Sequence, residues 1–416
     1  MLKKAFFSCA IFSFFLLISL GNFFRFLENS LFSDNLIVSE ALLYFFSLAS
    51  LFFLSISKKA LLRFFTLTSC VMCSFFYGCF LLEFDPRAGL YAVRLIFYFV
   101  TSYSLASIFY ERFQGALHLL CGFFFKAYAI ALILGAVLYT VFPSSNLLWD
   151  LLNSYHIGFR GDPHVGRFVS VYFDPNYYAS ISGFAFLVSS YLYFVTEKKM
   201  YRWGGYAFFL SGVLTWSRSG IAVLVALILY KALPFLLEGR FRKKEAVLFI
   251  FTLSLCFFAG LFYREELGVF MDRTLHFFEE SSALCRLETF RLGLDLLAKF
   301  PLFGLGIGFL YQYTQKEVSL SSLDSSLLSL LVQIGIVPFC LLLIYGLYKS
   351  FVLFKMKDFH SPFLSWLIFY LITVGLFASQ FNNILFYPFW LLPLLTTCIF
   401  IIRSGEVKKS SLSVRA

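Results

Sequence analysis

Charge is scarce in this chain. Only 14% of its 416 residues are Asp, Glu, Lys or Arg, where a soluble globular domain has roughly a quarter, and no more than 23 are acidic. So few charges cannot wet the surface of several soluble domains, which excludes that class. Histidine is scarcer still, at five. The polar stretches hold no Asp-x-Asp pair and no His-x-x-x-His, so no metal or other cofactor is expected, and His164 and His276 stand isolated. Lys and Arg outnumber Asp and Glu by 34 − 23 = 11, yet they form neither a tail nor a helical stripe, so a nucleic acid is not an expected partner.

What is abundant is apolar. Sixty per cent of the residues are hydrophobic and the mean hydropathy is +0.83, with long apolar runs from end to end. Lipid is the expected solvent, and the expected fold is all-α, one polytopic transmembrane bundle. The apolar stretch after Met1-Leu2-Lys3-Lys4 is long enough to span and lacks a small-x-small cleavage site, so it reads as an uncleaved first helix. Further spans are expected at 36–57, 64–84, 89–110, 119–142, 177–197, 203–216, 220–237, 245–263, 323–348, 361–380 and 384–402, about twelve in all. Sixty Phe residues point to aromatic packing or codon bias and assign no activity. Eight of the nine Cys lie in apolar runs; the Cys70-x-x-Cys73 pair reads as buried packing, and Cys285 alone as solvent-facing.

Lys and Arg accumulate on the cytoplasmic side of membrane proteins. With twelve spans, the clusters Lys3-Lys4, Lys58-Lys59, Lys198-Lys199, Arg240 to Lys244, Lys355 with Lys357, and Lys408-Lys409 share one side, so both termini are expected in the cytoplasm. The organisation is then five spans in 1–142, an outer loop at 143–176, four spans in 177–263, a large outer loop at 264–322, and three spans with a tail in 323–416. The outer loops carry Arg160, Arg167, Arg264, Arg273, Arg286 and Arg291, whereas the inner clusters are rich in Lys. The planar guanidinium grips phosphate or carboxylate with two bonds and tolerates partial burial, so an anionic ligand is expected there.

Asp174-Pro175 before the sixth span suits a helix cap with Pro at the first helical position, a role that leaves Asn176, Arg160 and Arg167 unexplained. In Thr215-Trp216-Ser217-Arg218-Ser219-Gly220, Gly220 permits a tight turn, and Arg218 between two apolar helices points to a polar cavity, with interfacial snorkelling as the alternative. Leu287, Phe290, Leu294 and Leu297 share one face of an amphipathic helix that Arg286 starts, on which Glu288 and Arg291 can pair. Gly304-Leu305-Gly306-Ile307-Gly308 serves close backbone packing or an anion nest. Asp324 reads equally as the cap of the tenth span or as a general base.

The order of these motifs resembles the bacterial O-antigen ligase and O-antigen polymerase superfamily over residues 160 to 340. The resemblance implies a GT-C-like, metal-independent, inverting glycosyltransferase in the bacterial inner membrane. Its partners would be an undecaprenyl-diphosphate-linked glycan as donor, an acceptor glycan or lipid A core, and the membrane lipids. Arg167, Arg218 and Arg286 match the family's arginine positions, which implies stabilisation of the departing diphosphate. Asp324 stands where ligase-like members carry His, and Pro338 where a small residue or Tyr is usual, a pattern closer to the polymerases. The reading from another class is a flippase or other transporter, to which Arg94 and Lys126 inside spans would point.

Overall fold

The computed structural model describes residues 1–31, 38–54, 56–142, 167–237, 281–310, 323–355 and 357–413. Among these the chain is helical, with no strand. The helices are α1 (Leu2–Leu31), α2 (Val38–Leu51), α3 (Lys58–Leu82), α4 (Pro86–Phe113), α5 (Leu117–Val141), α6 (Pro175–Thr196), α7 (Lys199–Val213), α8 (Arg218–Leu237), α9 (Ser281–Lys299), α10 (Ser326–Ile334), α11 (Ile336–Lys355), α12 (Lys357–Leu376) and α13 (Pro388–Ser413). Six segments are long and apolar enough to cross a membrane: Leu2–Phe23, Ala60–Leu82, Pro86–Phe113, Leu117–Val141, Pro175–Thr196 and Pro362–Gln380. This is a membrane protein. The expected span at 245–263 and the outer-loop residues Arg160, His164, Arg264, Arg273 and His276 lie outside the described residues.

One expectation about spans needs correction. The segment 323–348 is not one helix, because Gly335 at φ +77 ends α10 and redirects the chain into α11. A side chain at Gly335 would run into the Leu302 carbonyl, so the break is held from both sides. Helix α7, at the expected short span 203–216, has 15 residues, about 22 Å of helix at 1.5 Å per residue, against a hydrocarbon core of about 30 Å.

The main core joins α1, α2, α4, α5, α6, α7, α8, α12 and α13, and aromatic rings supply much of it. Phe14 meets Phe124 edge-on with centroids 6.0 Å apart, and Phe109 lies 4.9 Å from Phe123. A second core joins α3, α4, α9 and α10 through the glycine segment 304–308. Cys70 and Cys73 are exposed on α3, not packed, because α3 turns much of its apolar surface outward.

The glycine segment is a packing device. Gly304, Gly306 and Gly308 all have positive φ, and Leu305 and Gly306 donate their N–H groups to the carbonyls of Val332 and Gln333 on α10. Ile307 N–H goes to Ser74 Oγ at 3.2 Å and Gly308 N–H to Gln333 Oε1 at 2.8 Å, so these donors serve the protein and no anion nest is left. A Cβ at Gly306 would lie 2.6 Å from Gly78 Cα and 2.7 Å from the Ser74 carbonyl on α3. Gly306→Ala is therefore expected to cost roughly 1–3 kcal/mol in backbone strain and a similar amount in overpacking. The check is the yield of monodisperse protein in detergent, which should fall sharply, while Gly346→Ala on α11, where an added Cβ meets nothing within 4 Å, should behave as wild type.

Candidate functional site

Three chain segments converge at one end of the bundle. The first is the start of α6. Asp174 Oδ1 accepts the N–H groups of Asn176 and Tyr177 at 2.7 and 3.0 Å, and Pro175 occupies the first turn, so the expected cap is present. The second is the turn between α7 and α8. Its tight element is Trp216, at φ +51, and not Gly220 as expected. Gly220 instead lets α8 approach α6, since a side chain there would strike Ala179.

Hydrogen bonds tie these two segments together. Ser217 Oγ donates to Asn176 Oδ1 at 2.9 Å, and Arg167 Nη2 lies 3.4 Å from the same oxygen. Arg167 Nε donates to the Thr215 carbonyl at 2.7 Å. Asn176, which capping left unexplained, thus joins the Asp-Pro-Asn and Thr-x-Ser-Arg-Ser-Gly motifs across 41 residues. Arg167 braces the turn with its guanidinium, and Arg218, half-buried as the first residue of α8, sits on that braced turn.

The third segment is the entry to α10. Ser325, not Asp324, caps this helix, its Oγ accepting the Leu328 N–H at 3.2 Å. That frees the Asp324 carboxylate, which meets Arg286 of α9 at 3.4 Å, Nε to Oδ2. This is a charge contact: Arg286 Nε is buried and makes no hydrogen bond among the described residues. Burial pushes the Asp324 carboxyl above the usual carboxylate range, and the Arg286 charge opposes that rise in part. Helix α9 begins at Ser281, so Arg286 lies within it and does not start it.

Tyr177, one residue beyond Asn176, stacks on Tyr387, with ring centroids 4.1 Å apart, and so joins the start of α6 to the connection between α12 and α13. Asn383 belongs to a polar connection between α12 and α13 that composition had not singled out. Its Nδ2 donates to the Leu323 carbonyl at 2.6 Å, Ser326 Oγ donates to the Asn382 carbonyl at 2.7 Å, and Ser325 Oγ donates to Gln380 Oε1 at 3.0 Å. The signal was the run Ser379-Gln380-Phe381-Asn382-Asn383, five residues with four polar side chains between two apolar helices.

Not every expected residue joins this cluster. Arg291 follows Arg286 by five residues, roughly 140° around the helix, and is exposed there, as is Glu288. Leu287, Phe290 and Leu294 are also exposed, forming the apolar face of an amphipathic helix, while Gly293 and Leu296 pack inward. Arg94 does not snorkel. Its Nη2 and Nε donate to Glu40 Oε1 and Oε2 at 2.8 and 3.1 Å, Tyr44 donates to the same carboxylate at 2.7 Å, and Glu40 is only 3% exposed. Lys126 is exposed on α5. No three metal-ligating side chains come together among the described residues.

No protein-family model, curated protein or solved structure matches the chain.

Proposed function

We propose that this end of the bundle is the site of a membrane glycosyltransferase that moves a glycan from undecaprenyl diphosphate to an acceptor sugar hydroxyl, as the resemblance to O-antigen ligases and polymerases implies. The observation that carries the reading is the convergence of motifs far apart in sequence. Asn176, Arg167 and Ser217 form one hydrogen-bonded brace beside Arg218, and Tyr177 stacks on Tyr387 in the connection whose Asn382 and Asn383 bond to the entry of α10, next to the Asp324–Arg286 pair. The Lys-rich clusters at Lys3-Lys4, Lys198-Lys199 and Lys408-Lys409, taken as cytoplasmic, support a periplasmic position for this end in a bacterial inner membrane, with both termini in the cytoplasm.

The chemistry assigns each group a task. The acceptor oxygen attacks the anomeric carbon as the bond from that carbon to the diphosphate breaks, and the bond's electron pair leaves on the diphosphate. Asp324 takes the acceptor's proton, for which it must be ionised. Arg218 and Arg286 meet the charge developing on the leaving group, in a partly dehydrated site where such contacts weigh more than in water. Arg167 and Asn176 act as positioning residues, because their polar atoms are engaged with the turn. Arg160, outside the described residues, is proposed as a donor contact on its residue type alone, and Asp174 orders the start of α6. Arg291 is retained only as a contact for headgroups or glycan at the surface. An Asp in place of a ligase-type His favours polymerisation.

Arg218→Lys tests the reading. Lysine keeps the charge but loses the planar fork, so transfer should fall about tenfold to a hundredfold at equal protein level, measured as release of undecaprenyl diphosphate from a lipid-linked glycan by purified protein. Unchanged transfer would remove Arg218 from the site. Transport is the weaker reading, since of the two charges inside spans that suggested it, Arg94 is matched by Glu40 and Lys126 is exposed on α5.

A further inference from the structure

Beside the site lies a cleft of about 190 Å³ that the reaction as described does not use. Its lining includes Tyr91, Arg94 and Tyr98 from α4, Ser329 and Gln333 from α10, and Asn383. We infer that this cleft holds one neutral sugar ring of the glycan, an inference that rests on the proposed transfer reaction.

Charge narrows the ligand class first. Among the described residues Arg94 is the only charged one lining the cleft, and Glu40 pairs with it, so an anion would find that cation already matched. Glu40 takes Nε and one N–H of Nη2, so the donors of that guanidinium not bonded to Glu40 are those of Nη1 and the second N–H of Nη2. The other polar groups are hydroxyls and carboxamides, residue types that carry donors and acceptors together and suit a polyhydroxylated neutral ring; Gln333, Ser329 and Asn383 are also held in place by bonds to the protein, each with a further hydrogen or lone pair by its chemistry. Two tyrosine rings and the side chains of Leu95, Ile307 and Leu310 add apolar faces, the mixture that orients a ligand carrying both C–H and O–H surfaces. Size points the same way: the cleft is below the roughly 300 Å³ of the smallest drug-sized pockets, which suits a single ring and not an extended chain.

Position gives the ring a purpose. Asn383 Nδ2 and Ser329 Oγ both reach the Leu323 carbonyl, at 2.6 and 3.4 Å, and Leu323 immediately precedes Asp324. A ring in the cleft is therefore held by residues that also fix the chain next to Asp324, and it can set which hydroxyl of the adjoining sugar meets the carboxylate. The opposite wall is the glycine segment, where a Cβ at Gly308 would lie 2.5 Å from the Ala88 carbonyl of α4, so the wall is rigid.

The test uses full-length protein in lipid nanodiscs and saturation-transfer NMR with galactose, N-acetylglucosamine and galacturonate. At least one neutral sugar should receive signal and galacturonate should receive less. Tyr91 is 49% exposed, so its replacement leaves the core intact. Tyr91→Ala should abolish the signal and Tyr91→Phe should keep it, each checked for a wild-type elution profile. In the transfer assay Tyr91→Ala should raise KM about five- to tenfold with a smaller change in kcat; a rise for the acceptor alone identifies the acceptor's ring, and a rise for the donor alone identifies the donor's. No signal from either neutral sugar, or an equal signal in Tyr91→Ala, overturns the inference. Asp324→Asn separates the two claims: the sugar signal should survive that substitution, and if transfer also survives it, the proposed base is wrong while the cleft stands.

Discussion

Replacing Asp324 with Asn is expected to lower glycan transfer by about 10²- to 10⁴-fold, the usual worth of a general base, without unfolding the protein. Ser325 holds the helix cap, so nothing structural at α10 depends on the carboxylate charge. The Asp324 and Arg286 side chains keep 45% and 26% of their surface open, so their ion pair adds only about 0–1 kcal/mol to stability. The pH profile carries a second signature. Burial raises the Asp324 pKa, and the group works as a base only when ionised, so activity should fall on the acid side at a higher pH than an ordinary aspartate would give. Arg286→Gln removes the charge that favours the carboxylate, so this acid limb should move to still higher pH, beyond any loss of rate. An acid limb that stays in place would show that Arg286 does not act on Asp324.

The second large effect is on stability. Glu40→Ala leaves the Arg94 guanidinium in a largely enclosed position with its main acceptor gone, and breaking such a pair costs about 3–5 kcal/mol. Arg94 is 29% exposed, which puts the expectation near the lower end, about 3 kcal/mol. Glu40→Ala should therefore lower the thermal midpoint in detergent by much more than Glu111→Ala, whose partner Lys3 is 47% exposed. The double variant Glu40→Leu with Arg94→Leu should recover most of the loss, because apolar residues of similar size often replace a buried pair at little cost. Equal loss in the single and double variants would mean that packing, and not the ion pair, is responsible.

Most of the helices were legible because hydropathy responds to apolar runs. The sixth expected span, 177–197, is the helix Pro175–Thr196, and its cap was read from Asp174-Pro175. The break at Gly335 was not legible, since hydropathy carries no φ and the residues on both sides are equally apolar. Glu40 was missed because its partner Arg94 lies 54 residues away and an isolated Glu in an apolar run names no partner. In the site, Arg167 and Asn176 could be nominated by residue type, but only the folded chain shows that both bond into one network with Ser217, which was not singled out, and that Arg167 is a brace. That the cap of α10 is Ser325 and not its neighbour Asp324 could not be told from spacing, because either residue type suits the position. The convergence of the α12–α13 connection on α10 is a tertiary fact with a weak sequence sign, two adjacent asparagines between apolar helices.

The most direct measurement is release of undecaprenyl diphosphate from a lipid-linked glycan by the purified, reconstituted protein, with the glycan product followed on a gel in the presence of EDTA. Release that matches glycan transferred one for one, persists with the chelator and is lost in Asp324→Asn is the predicted result. Donor that remains intact, or crosses a vesicle bilayer uncleaved, would contradict glycosyl transfer and make the protein a transporter.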